Sequence, residues 1–272
     1  MNIHKLSQRP QVFNRFFGIS PQQFKKLTQE LEPLWQEAEY KRKSTHKRQR
    51  AVGGGRQYKL SFEQMVAMYL LYTRTYMSHI MLAEFFHIDD SRVCRYFKKL
   101  EPILFQKMKK LTFKKIYLTE EEIQHLLDAT EQETERRLGS GYSGKKKKQT
   151  IKTQIITDIK GRIKHISQSV AGNIHDKKLY DQTGVKLRDT DLGDLGYLGT
   201  NLRIPHKASK YHKLTKKQKM ENKAHSSVRI MIEHVFASLK QWRILSYRFR
   251  NQLKTYHMKF VIVAGLYNLK HC

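Results

Sequence analysis

Residues 226–243 read SSVRIMIEHVFASLKQWR, and this stretch predicts the helix around which the rest of the chain is organised. Read at helical period, its apolar side chains form one stripe, consisting of Val228, Met231, Val235, Leu239 and Trp242. Arg229, Glu233 and Lys240 are spaced so that they share another face. A carboxylate between two cations on a helix is usually part of an exposed row of ion pairs. Because the chain has only 24 Asp+Glu against 53 Lys+Arg, Glu233 is also a candidate metal ligand beside a polyanion.

The composition predicts a folded and strongly basic protein. Its 272 residues are long enough for one large domain or two smaller ones, and 39% hydrophobic residues indicate a packed core. The net charge of +29 attracts polyanions, usually nucleic acid, although an anionic membrane surface or a ribosomal setting are alternatives. There is no apolar run of membrane-spanning length and no signal-peptide segment. We expect an intracellular, soluble protein that faces DNA or RNA and binds no membrane.

The two cysteines, Cys94 and Cys272, are far apart in sequence. They predict neither a disulfide framework nor a cysteine-based zinc site.

Residues 61–104 predict three helices, the second and third joined by a tight turn. Ser61 is expected to cap the first helix, the second covers about 78–87, and the third begins at Ser91. Two short helices of which the second is basic are typical of a helix-turn-helix. Plain three-helix bundles can also have a basic face, but the net charge favours DNA binding.

The basic face of the third helix supplies the candidate DNA contacts. Ser91, Arg92 and Arg95 lie near its start and are expected to meet base edges or phosphates. Lys98 and Lys99 are expected to contact the DNA backbone.

The second half of the chain is rich in β-strand patterns. The predicted elements are a strand over 123–130 that ends at Asp128, a hairpin formed by 150–158 and 162–170, a helix near 176–182, a strand over 202–205 and a buried helix over 253–269. Strands followed by helices around one mixed sheet predict an α/β domain.

Three carboxylates in this half are candidate metal ligands. Asp128 ends a predicted strand, Asp194 precedes a glycine-rich turn, and Glu233 lies on the late helix. Mg²⁺ prefers a few carboxylate oxygens together with water and phosphate. Two such ions about 3.5–4 Å apart activate a water or a 3′-hydroxyl in phosphodiester cleavage. Taken singly, each acid also has a structural alternative, as a turn residue, an Asx turn or an ion-pair member.

Several motifs then occur in a distinctive order. They are Arg50–Arg56 (RAVGGGR), Arg74–Tyr76 (RTY), Leu100–Leu104 (LEPIL), Asp128–Glu131 (DATE), Tyr142–Lys152 (YSGKKKKQTIK), Gly172–Asp176 (GNIHD), Gly193–Gly199 (GDLGYLG) and Val228–Phe236 (VRIMIEHVF). With these motifs the chain resembles, nearly end to end, the DDE-superfamily transposases of bacterial insertion sequences, a group related to Harbinger-type nucleases.

The resemblance implies a fold and a division of labour. Residues 1–110 would form an all-α DNA-binding region and residues 111–272 a ribonuclease-H-like catalytic domain with a mixed sheet. By position it assigns Asp128, Asp194 and Glu233 as catalytic residues and ligands of two Mg²⁺ ions, for which Mn²⁺ can substitute. Arg229 and Lys240 would neutralise phosphates. The implied partners are terminal inverted repeats and target DNA, with a homodimer or higher synaptic complex joining two ends.

Some residues leave alternatives open. Related transposases can carry a tyrosine where this chain has Ser226, and Asp191 could compete with Asp194 as a ligand. The His175-Asp176 pair could shape the site, but a local hydrogen bond is more common. Lys145–Lys148 could hold DNA or form a solvated hairpin tip.

Two other classes of protein compete with an active transposase. One is a transposase-derived, sequence-specific DNA-binding protein without nuclease activity. The other is a basic RNA- or ribosome-associated protein, which leaves the placement of the three acids unexplained.

Overall fold

The computed structural model describes residues 1–44, 57–112, 124–209, 211 and 213–271. Its helices are α1 Ile3–Ser7, α2 Pro10–Phe17, α3 Pro21–Ser44, α4 Phe62–Thr75, α5 His79–Phe86, α6 Asp90–Thr112, α7 Asp176–Thr183, α8 Lys216–Leu239, α9 Arg243–Ser246 and α10 Tyr256–Lys270. Its strands are β1 His125–Glu133, β2 Gly141–Ser143, β3 Lys148–Asp158, β4 Ile163–Ile166 and β5 Val170–Ala171. The motif at 50–56 and residue 123 of the predicted first strand lie outside the described residues. None of the described helices is both long and apolar enough to cross a membrane.

The predicted three-helix unit is confirmed in α4, α5 and α6. Ser61 and Gln64 form a reciprocal capping box at the start of α4, and the Ser78 hydroxyl caps α5. Residues 102–115 are predicted to end this unit, and α6 runs through Pro102 and ends at Thr112, within that range. A proline inside a helix costs about 3 kcal/mol. Burial of Leu100, Leu104 and Met108 offsets this cost, at about 1.5–3 kcal/mol for each side chain.

The sheet is built on β3, the long central strand. β1 pairs with it antiparallel along one edge, and β2, β4 and β5 pair along the other. The predicted hairpin is confirmed, with Gly161 in the left-handed conformation at its turn (φ 79°). Asp128 does not end its strand as predicted, because β1 runs on to Glu133. Near the end of β1, the side-chain amide of Gln132 donates to the carbonyl oxygens of Ile244, in α9, and Tyr247, which follows α9.

A parallel neighbour makes the sheet mixed. Leu192 bridges Leu126 of β1 on one side and Arg203 on the other. The predicted strand over 202–205 is therefore wrong in extent, because only this single bridge forms. Pro205 has no N–H with which to extend the ladder.

One continuous hydrophobic core joins the N-terminal helices to the second half of the chain. Helix α10, buried as predicted, packs along α6. Between them the ammonium of Lys259 lies 2.6 Å from the carboxylate of Glu101, with both side chains buried. The two regions thus pack as one body, and the boundary near residue 110 stays a prediction.

Helix α8 begins ten residues before the quoted stretch, at a capping box formed by Thr215 and Gln218. It ends at Leu239, so Trp242 is buried but lies beyond the helix. The buried stripe includes Ile232 and Phe236, whereas the predicted member Val228 is exposed. The predicted order of helices, mixed sheet and flanking helices is confirmed.

Candidate active site

Asp128 and Asp194 lie side by side because the sheet register brings them together. Leu126 and Leu192 form a parallel bridge, and each aspartate follows its bridge residue by two positions. The Leu127 N–H donates to the Leu192 carbonyl at 2.9 Å, which fixes this register. Neighbouring strands lie about 4.8 Å apart, and residues two positions along point to the same side. The two aspartates that sequence places 66 residues apart are therefore neighbours.

Asp194 is held by the turn that follows it. Its Oδ1 accepts the Gly196 N–H at 2.8 Å and caps the short 3₁₀ helix Leu195–Tyr197. A Cβ on Gly196 would lie 2.9 Å from carboxylate oxygens of both Asp194 and Asp176. Only glycine fits there, so the glycine-rich turn packs the backbone directly against two acids.

The surroundings of Asp128 disfavour its charged form. Burial raises the pKa of Asp128 to about 6, and the negative charges of Asp194 and Asp176 add to this shift. Two contacts oppose it: Arg229 Nη2 lies 3.1 Å from Oδ2, and the Ala129 N–H donates to Oδ1 at 2.7 Å. The site thus holds more negative charge than its own cation compensates.

Helix α8 places Arg229 against the sheet, but Glu233 one turn later is exposed. The ion pair with Asp128 shows that the Arg229 face of α8 is turned towards β1. Within the described part of the chain, no three His, Cys, Asp or Glu side chains are grouped to hold a metal ion. The structure brings Asp128 and Asp194 together, and among the described residues Glu233 forms no three-acid group with them, so its role as third ligand stays a prediction. Lys240, the exposed C-terminal cap of α8, is not part of this contact.

Asp176 is a third acid beside Asp128 and Asp194, and the sequence predicts for it either a part in shaping the site or only a local hydrogen bond. It lies in the first turn of α7, and its Oδ1 is 2.8 Å from the buried ammonium of Lys152. Lys152 also donates to the Ile174 carbonyl at 2.7 Å and lies 3.5 Å from Glu131. The motif Gly172–Asp176 was the signal that could have identified it. Its partner His175 caps α7 without a side-chain hydrogen bond to the helix.

Asp191, the alternative ligand, has a structural place instead. It is fully buried, and its two oxygens accept the backbone N–H groups of His125 at 2.6 Å and Arg188 at 2.8 Å. Burial alone would raise the pKa of Asp191, but these hydrogen bonds outweigh it and the pKa lies below its usual value. Asp191 therefore anchors the segment that leads to Asp194.

The candidate DNA contacts on α6 fall into two groups. Ser91, Arg95 and Lys98 are exposed. Arg92 pairs with Asp89 at 2.7 Å, and Lys99 lies 2.5 Å from the Tyr58 hydroxyl and 3.2 Å from Glu39. Lys99 is thus part of a local network. Whether any of these side chains meets DNA stays a prediction.

The donors of the site fit a hard divalent cation. Asp128 and Asp194 supply adjacent carboxylates, and Mg²⁺ commonly binds one or two carboxylates while keeping water and substrate phosphate as its other ligands. Because burial raises the pKa of Asp128, a cation bound nearby would stabilise its charged form.

Comparison with known proteins defines the class. Residues 127–268 match the family model described as DDE superfamily endonuclease, and residues 58–110 match the helix-turn-helix of DDE superfamily endonuclease. The chain belongs to the DDE superfamily endonucleases. Its second half is a mixed sheet with helices within the matched endonuclease domain, and its helix-turn-helix implies that it binds DNA.

Two relatives extend the similarity over almost the whole chain. A probable transposase for insertion sequence element IS702 from Microchaete diplosiphon is 31% identical, covering 98% of each chain. A protein named as a transposase for insertion sequence element IS112 from Streptomyces albus G is 29% identical, covering 88% of this chain and 87% of its own. No solved structure matches the chain.

Proposed function

We propose that the protein is a transposase that binds the ends of its own insertion sequence and catalyses metal-dependent cleavage and strand transfer. The observation that carries this proposal is that Asp128 and Asp194 each lie two residues beyond the parallel bridge of Leu126 and Leu192, in a member of the DDE superfamily endonucleases. It is also supported by the similarity to insertion-sequence transposases over 98% of the chain. By the same reasoning the protein acts in the cytoplasm of a bacterium, at the nucleoid.

In the proposed reaction, Asp128 and Asp194 hold two Mg²⁺ ions, or Mn²⁺ in their place. When bound, such ions supply a polarised water or 3′-hydroxyl and offset charge on the leaving oxygen. Asp128 has to be deprotonated to act as a ligand. Arg229, at the rim of the pair, neutralises a phosphate beside the cleaved bond. Glu233, one turn further along α8, would be the third ligand.

The helical region positions the DNA for this chemistry. We infer that α6 enters the major groove of a terminal inverted repeat, with Arg95 and Lys98 as exposed contacts. Because transposition joins two element ends to one target, the protein would act as a homodimer or a higher synaptic complex. Lys240, exposed at the end of α8, is placed to contact flanking phosphates.

A supercoiled plasmid carrying the gene and its native flanks tests the proposal. Strand cleavage is measured with Mg²⁺ and with EDTA, for the wild-type protein, for Asp194→Asn and for Asp189→Asn, an exposed aspartate nearby that serves as control. We expect metal-dependent cuts at the element's ends that disappear only in Asp194→Asn, while end binding persists. Tight binding without cutting in any metal would instead support a DNA-binding protein derived from a transposase.

A further inference from the structure

The loop between β2 and β3 presents an unusual concentration of charge. Ser143 pairs with Lys148, so residues 144–147 form the hairpin tip. Lys145, Lys146 and Lys147 are all exposed, and none of their side chains forms a hydrogen bond or ion pair with a described residue. Only Lys148 at its base is paired, with its ammonium 2.6 Å from Glu133. Three adjacent exposed ammonium groups thus have no ion-pair partner among the described residues.

The backbone of this tip is also costly. Lys147 adopts the left-handed conformation, with φ 52°, which glycine and asparagine accept far more readily than lysine. A local hydrogen bond, from the Lys146 N–H to the Ser143 hydroxyl at 3.2 Å, supports the turn without involving any lysine side chain. Strain and like-charge repulsion that no contact with the described residues relieves point to an external, anionic partner.

The sheet sets the distance between the tip and the acids. Asp128 lies opposite Ile155 in β3, and Lys148 lies seven residues before Ile155 on the same strand. A strand rises about 3.3 Å per residue, so the tip is about 23 Å from the acid along the strand. Because β3 is paired on both edges, this separation is rigid. Base pairs in B-DNA rise about 3.4 Å, so a duplex that runs along β3 would place about seven base pairs between the acid and the tip.

We propose that Lys145, Lys146 and Lys147 bind the phosphate backbone of duplex DNA about seven base pairs from the bond that is cleaved. The inference rests on the proposed function and adds to it a second DNA contact, separate from α6. Lysine ammonium groups act as point charges on phosphates, so this contact fixes the register of the duplex and reads no sequence.

The salt dependence of binding tests the proposal. The hairpin variant carries Lys145→Gln, Lys146→Gln and Lys147→Gln, and the control carries Lys160→Gln, Lys186→Gln and Lys254→Gln. The control loses the same charge at exposed positions outside the hairpin tip and outside residues 1–110. Binding to 40-base-pair duplexes tiling the gene's flanks is measured in EDTA over a range of salt concentrations. Each phosphate contact contributes about 0.9 to the slope of log K against log salt, so we expect the hairpin slope to fall by about 2–3 and the control slope by less than about 1.

Hydroxyl-radical footprinting locates the contact. Protection should vanish in the hairpin variant only at backbone positions about seven base pairs from the cleaved bond. Lys147→Asn should raise the melting temperature and still weaken binding, which separates loss of contact from loss of folding. If the two triple variants have equal salt slopes of binding while the wild-type protein binds normally, the hairpin contact is refuted and the proposed function is not. Wild-type protein that binds none of the duplexes would overturn the proposed function as well.

Discussion

Arg229 Nη2 lies 3.1 Å from Asp128 Oδ2, and this ion pair joins α8 to β1 at the candidate site. Arg229 is the cation that holds the pKa of Asp128 down against burial. Replacing it with Met should therefore raise the pKa of Asp128 further above about 6.

Carboxyl ¹³C NMR titration of the metal-free protein measures this change. Lys240→Met, which removes a cation of the same helix away from the contact, should leave the pKa of Asp128 where it is. A pKa that stays the same or falls in Arg229→Met would show that the ion pair does not form in solution.

Asp128 should also make the metal-free protein less stable at alkaline pH. A folded-state pKa of about 6 lies above the ordinary aspartate pKa of 3.8, so the folded state binds more protons between these two pH values. The resulting stabilisation is complete below about pH 4 and is lost as pH rises through about 6. From pH 5 to pH 8 the wild-type protein should lose about 1 kcal/mol more unfolding free energy than Asp128→Asn does. Urea unfolding at both pH values measures it, and parallel losses in the two proteins would contradict it.

The buried pair between Glu101 and Lys259 should hold the helix-turn-helix region against the C-terminal helix. Glu101→Gln leaves a buried ammonium without its counter-charge, which costs about 3–5 kcal/mol. Replacing both residues with Met removes the unpaired charge and should cost far less. Denaturant unfolding of the single and double variants tests this, and a double variant as unstable as the single one would be the opposite outcome.

Lys98 and Lys99, adjacent on α6, should respond differently to substitution. Lys98 is exposed, so Lys98→Gln should lower the salt slope of DNA binding by about 0.9 and leave stability within about 0.5 kcal/mol. Lys99 bonds to Tyr58 and Glu39, so Lys99→Gln should cost about 1–2 kcal/mol of stability. Filter binding and thermal unfolding separate the two effects. An unchanged stability in Lys99→Gln would mean that this lysine is available to DNA.

Local sequence signals predicted the elements whose start is encoded in a few residues. Ser61 with Gln64 begins α4, and Gly161 marks the hairpin turn, because capping and positive φ depend on neighbouring residues. The capping box of Thr215 and Gln218 was present too, but the lysine-rich turns after it have no apolar periodicity. The early start of α8 was missed for that reason.

The assembly of the site depends on contacts that no local signal encodes. The bridge between Leu126 and Leu192 joins residues far apart in sequence, and a single bridge has no strand pattern of its own. Asp128 and Asp194 were named by position in the motifs, whereas the place of Asp176 beside them depends on the buried Lys152. Such three-dimensional pairing follows from packing and not from propensity.

Metal binding by the protein–DNA complex tests the central claim most directly. Mn²⁺ affinity is measured by electron paramagnetic resonance for the wild-type protein, Asp128→Asn, Asp194→Asn and the exposed control Asp189→Asn. We predict that the control binds as the wild type does and that each of the other two loses about tenfold or more in affinity, at least about 1.4 kcal/mol. Unchanged Mn²⁺ affinity in both Asp128→Asn and Asp194→Asn would contradict the assignment of this pair as the metal site.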